Sequence, residues 1–131
     1  MSSASNVFIV FNSVFSGAFL LSALVQWNDP DPTLWIVYYL SALICCVCAF
    51  RRLPIYLSIL TMAFGSLWAI KLVLNLVVED VAMNEVLTSL AMNSNAVEEA
   101  REIGGLLIAV AWLSFLLIRH WNRSLIEAVA D

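Results

Sequence analysis

Seven consecutive residues, Gln26-Trp27-Asn28-Asp29-Pro30-Asp31-Pro32, set two carboxylates, two side-chain amides and two prolines into an otherwise apolar N-terminal half. Oxygen donors of that kind are what a hard cation such as Ca²⁺ or Mg²⁺ takes, and Glu98 or Glu102 would add to the set. A second group, Glu98, Arg101 and Glu102, falls at helical spacing, so all three side chains share one face. Paired carboxylates in a partly dry cleft acquire the separated pKa values that acid–base work requires, and a guanidinium beside them receives an anionic headgroup. Lys71, Asn75 and Glu79 form a third stripe at four-residue intervals, and a lysine inside an apolar segment is itself a site hypothesis. The candidate ligand-binding residues are therefore Gln26, Asn28, Asp29, Asp31, Lys71, Glu98, Arg101 and Glu102, with Asp29, Asp31 and Glu102 the ligands if a metal binds. No residue is assigned a catalytic role and no cofactor is implied, because no nucleophile has a base on the same side and no cofactor fingerprint occurs.

Each group also has a structural reading. The acidic turn joins two helices, and its Asn and Asp side chains can satisfy the free backbone groups of helix ends. Arg101 can pair with Glu98 and Glu102 along its own helix, or bridge to Asp29 or Asp31 across helices. Lys71 lies ~12 Å along the axis from Glu79, close enough to an interface to snorkel, or to pair with a carboxylate such as Glu102. The three cysteines, Cys45, Cys46 and Cys48, lack the spacing of a zinc site or a disulfide framework and read as apolar filler.

The elements that must position these groups are membrane helices. Of 131 residues, 63% are hydrophobic and 12% charged, well beyond the apolar share of about half expected of a soluble domain. The net charge of −4 and the lack of a basic stripe exclude nucleic acid as the natural partner. Apolar spans over about 7–27, 33–50, 55–78 and 96–120 are each near the length that crosses a bilayer, and a short amphipathic helix over about 84–92 is expected to lie in the interface. The N-terminus lacks the positive region and cleavage site of a secretory signal, so the first span reads as retained. Asn12, Ser16, Ala23 and Gln26 share one face of that span, which predicts a buried face and an interhelical partner for Asn12. Pro30 and Pro32 force a tight hairpin, with Thr33 as N-cap or first-turn residue and Trp27, Trp35 and Tyr38 as an aromatic belt. Asn95 and Glu98 have the spacing of a capping box, and Gly104 and Gly105 invite close approach of a neighbouring helix.

Charge sets the orientation. Arg51, Arg52, Arg119 and Arg123 gather at one end, and Asp29, Asp31, Glu79, Asp80, Glu85, Glu98, Glu99 and Glu102 at the other. The positive-inside rule then predicts an all-α, four-helix membrane bundle over residues 1–131, with both termini cytoplasmic and the 26–32 and 79–102 segments facing outward together.

Two stretches resemble the transmembrane protein 220 family of small four-helix membrane proteins. One is the Gln26–Pro32 run followed by Trp35 and Tyr38 or Tyr39; the other is Glu98-Glu99-Ala100-Arg101-Glu102-Ile103-Gly104-Gly105-Leu106. The resemblance implies the fold, brings no activity or residue role with it, and suits one shared outward site. The expected function is a non-enzymatic integral membrane protein, multi-pass (in the inner membrane if the source is bacterial). It would act as an accessory or scaffolding component within the lipid bilayer, binding another membrane protein or a second copy of itself. The alternative is an outward polar pocket for a hard cation or an anionic lipid headgroup, with acid–base catalysis as an extension.

Overall fold

The computed structural model describes residues 3–28, 31–78 and 95–130. They form four α-helices, α1 (Ser3–Val25), α2 (Pro32–Cys48), α3 (Ile55–Val78) and α4 (Asn95–Ala130), with a 3₁₀ turn at Gln26–Asn28 closing α1. No strand occurs among the described residues. The stretches Ser5–Val25, Ile55–Asn75 and Glu98–Val129 are long and apolar enough to cross a membrane, and α2 is a shorter apolar helix of 17 residues. At 1.5 Å per residue α2 is ~25 Å long, against a hydrocarbon core of ~30 Å. The chain is a helical membrane protein.

Proline and backbone hydrogen bonds explain the breaks. Pro32 occupies the first position of α2, where a missing N–H costs nothing, and its ring presets the helical φ. Asp31 sits at the N-cap with φ −119° and ψ 58°, yet makes no side-chain capping bond. Thr33 lies in the first turn rather than at the cap. At the far end the N–H of Ala49 reaches the Cys45 carbonyl (3.0 Å), and those of Arg51 and Arg52 both reach Cys48 (2.9 Å each). Pro54 then ends the connection, and its carbonyl accepts from Ser58 N–H at 2.9 Å as α3 begins.

Helices that follow one another in the chain pack antiparallel. The ring pairs Phe8–Phe50 and Phe19–Tyr39, and the Asn12–Cys46 hydrogen bond between them, are symmetric in sequence about the 26–32 turn, which fixes the register of α1 on α2. Trp35 stacks on Trp68 with centroids 4.1 Å apart and sets α2 against α3, while the Ser114 hydroxyl reaches the Met62 sulfur at 3.1 Å between α4 and α3. Small residues at the contacts, Ala42, Cys45 and Cys46 on α2 and Ala109 on α4, are fully buried. Lipid is as apolar as leucine, so close packing of this kind, rather than expulsion of apolar surface from water, holds membrane helices together. Large side chains such as Leu21, Leu60, Leu67 and Ile118 remain exposed on the outer faces, where lipid covers them. Hydroxyls inside the apolar layer satisfy themselves: Ser16, Ser41, Ser66 and Ser114 each donate to the carbonyl four residues back, at 2.7–2.8 Å.

α1 and α4 meet through side chains at the Asn12 position. Asn12 is 0% exposed; its Nδ2 donates to the Cys46 carbonyl at 2.7 Å, and its Oδ1 accepts from Trp112 Nε1 at 3.3 Å. Cys46 is among the last four residues of α2, whose carbonyls a helix leaves without an intrahelical partner, so one amide both caps α2 and ties α1 to α4. Phe15 stacks on Trp112 at 4.0 Å beside it.

Three features differ from the sequence expectation. Trp27 is 78% exposed, as a belt residue is, but Trp35 and Tyr38 turn inward, because Trp68 and Phe64 of α3 offer them aromatic faces. α4 continues past residue 120 to Ala130, since no proline or glycine follows to stop it. Gly104 has open space around it, whereas Gly105 lies against the Tyr39 hydroxyl, so only the second glycine serves close approach. The amphipathic segment expected over 84–92 lies outside the described residues, as does the side chain of Asn95.

Candidate functional site

The end of the helices that carries the 26–32 turn opens into a recess of about 440 Å³. Gln26 reaches it from the 3₁₀ turn that ends α1, and Ser22, one turn earlier on the same face, lines it too. From α4 come Glu98, Arg101 and Glu102, which project together because three- and four-residue steps return to one side of a helix. Tyr39 of α2 is buried and forms the floor beside Gly105. Any side chain at position 105 would meet the Tyr39 hydroxyl, so glycine is what lets α4 approach α2 below the recess.

Four of the sequence-derived candidates thus share one recess: Gln26, Glu98, Arg101 and Glu102. Asp31 is exposed and is not part of the lining. Lys71 is likewise exposed on α3 and outside the recess. Asp29 and the side chain of Asn28 lie outside what the structure describes. Ser22 and Val25 escaped the sequence reading as lining residues; the signal was present, because Ser22 precedes Gln26 by one helical turn.

The chemistry of the recess is mixed. Two carboxylates face one guanidinium, an amide and two hydroxyl-bearing residues, which leaves a formal excess of one negative charge. Glu98 and Arg101 are exposed, Glu102 and Gln26 half-buried. Such a mouth can accept a cationic or amide donor at the carboxylates and an anionic group at Arg101 together. Among the described residues no three His, Cys, Asp or Glu side chains converge as a metal-binding group. A cation site built on Asp29, Asp31 and Glu102 would have to draw on a residue outside them, and Asp31 stands apart from the recess that holds Glu102.

Comparison with known proteins places these features in a wider context. A family model described as transmembrane family 220, helix, matches residues 18–118, a segment that holds both the acidic turn and the Glu98–Leu106 stretch. Transmembrane protein 220 of Xenopus laevis is 33% identical over 127 residues, which cover 92% of this chain and 62% of the frog protein. The chain therefore spans less than two-thirds of that relative's length. No solved structure matches the chain.

Proposed function

Because the chain belongs to transmembrane family 220, we propose that it is a non-enzymatic accessory component of the membrane, which recognises a partner membrane protein, or a second copy of itself, through the recess at the 26–32 end. All four helices cross the bilayer in this reading, α2 included, as one bundle. The observation that carries it is the gathering of Gln26, Glu98, Arg101 and Glu102 from two separate helices at one open mouth. Exposed charges of both signs on a floor fastened by Tyr39 and Gly105 suit recognition of a complementary polar segment, which fixes register and orientation as much as affinity.

The test is a photoreactive amino acid at position 25, which is exposed at the rim, irradiated in intact cells. A discrete adduct is expected, formed with another membrane protein or with a second copy of the chain. Reversing a charge with Arg101→Glu should reduce its yield about tenfold, equivalent to ~1.4 kcal/mol. Irradiation that yields no adduct, or one indifferent to Arg101→Glu, would remove the reading.

Orientation follows from the arginines. We read the end with Arg51, Arg52, Arg119 and Arg123 as cytoplasmic, so both termini lie there and the recess faces outward. A green fluorescent protein fused after Asp131 should fluoresce in a bacterial host. A dark fusion, with an alkaline phosphatase fusion active at the same position, would reverse the assignment.

A further inference from the structure

The opposite end of the helices holds a second cavity, of about 280 Å³, between the α2–α3 connection and the last turns of α4. Four guanidinium groups line it, Arg51 and Arg52 from the connection and Arg119 and Arg123 from α4. The last two are one helical turn apart, so they stand on the same face. Glu127 is the one carboxylate of the described lining, which leaves a strong positive excess. Phe8, Leu53 and Leu116 are buried and close the cavity on its membrane side.

The arginines are not merely a solvated fringe. The Arg119 guanidinium carbon stands 3.7 Å from the centroid of the Phe8 ring, and Phe8 itself packs edge-on against Phe50. A cation held over an aromatic face keeps its position and stays half-buried, so it is presented to the cavity at little ordering cost when an anion arrives.

We propose that this cavity binds the phosphate-bearing headgroup of an anionic phospholipid. Guanidinium forks match phosphate oxygens two at a time, and an anion between them relieves the repulsion of four like charges brought to one lining. The apolar floor decides the source of the phosphate. Cationic walls above buried Leu53 and Leu116 reproduce the step from headgroup to acyl chain, and basic pockets between membrane helices are where such headgroups bind. A free phosphate ion would leave that floor unused. The site lies at the other end of the helices from the Gln26 recess and does not depend on the partner-binding role proposed for it.

The test uses the full chain in a neutral detergent, with thermal unfolding followed by tryptophan fluorescence. Phosphatidylglycerol in mixed micelles should raise the melting temperature saturably, and phosphatidylcholine of the same acyl chains should not. Arg52→Gln and Arg123→Gln, both at exposed positions that spare the Phe8 contact, should each raise the half-saturating phosphatidylglycerol concentration about fivefold. Equal responses to the two lipids, or a response unchanged in both variants, would overturn the proposal. Inorganic phosphate producing the same saturable shift would overturn the lipid source and leave a soluble anion as the ligand.

Discussion

Gly65→Val is expected to be the most damaging single change in the apolar layer. A Cβ at position 65 would lie 2.8 and 2.9 Å from Cζ and Cε2 of Tyr38 and closer still to its hydroxyl, so the ring has to move. A groove of about 310 Å³ lies beside it, but a shift of the ring disturbs the aromatic contacts that hold it. Tyr39, Phe64 and Trp68 surround it at centroid distances of 5.4, 6.2 and 6.4 Å. Overpacking of this kind costs ~1–3 kcal/mol, and the two further methyl groups of valine place the loss at the upper end of that range. Among the described residues the buried Tyr38 hydroxyl has no hydrogen-bond partner, so Tyr38→Phe should be neutral or slightly stabilising. It should also recover part of the loss in the milder Gly65→Ala, because it removes the atom nearest the new methyl. Unfolding of the variants in detergent checks both results. A Gly65→Val protein as stable as the parent would show that α2 and α3 do not pack through this glycine.

The second large effect is at Asn12. Asn12→Leu keeps the number and branching of the side-chain heavy atoms but strands the Cys46 carbonyl and the Trp112 N–H inside the apolar layer. Hydrogen bonds between membrane helices are worth ~0.6–1.7 kcal/mol each, so losing both should cost ~1–3 kcal/mol. Because the Trp112 bond is shared, Trp112→Phe combined with Asn12→Leu should cost less than the sum of the two changes made separately. Full additivity would mean that the two side chains act independently and that Asn12 does not join α4 to α1.

How much of this was legible in the sequence depends on the kind of signal. Asn12 stands out because an amide four residues before Ser16 and eleven before Ala23 marks a buried face, and such an amide needs a partner. Its partners did not stand out: one is a main-chain carbonyl at a helix end and the other an indole a hundred residues away, and neither leaves a local pattern. Gly65 was invisible for a related reason, since a lone glycine in an apolar run says nothing about which ring of a neighbouring helix will fill its place. The gathering of Gln26 with Glu98, Arg101 and Glu102 was anticipated from helix ends and shared faces. Depth along a helix can be read from sequence and places Lys71 with them, whereas the direction in which an isolated helix turns a given face cannot be read, and Lys71 lies outside the recess. Arg51, Arg52, Arg119 and Arg123 were visible only as topology signals. Seeing them as one cavity required α4 to continue beyond the span, which hydropathy alone does not indicate.

The recess at the 26–32 end is either a recognition site or a clamp between helices, and one paired measurement separates the two. In Arg101→Glu, crosslinking yield from position 25 and melting temperature are read on the same protein. A recognition site predicts a tenfold loss of adduct while the melting temperature moves by only a few degrees, about what ~1 kcal/mol from an exposed charge is worth in a chain of this size. An adduct that persists, or that disappears together with a collapse in thermal stability, would contradict the proposed function and leave the charged mouth as part of the helix packing.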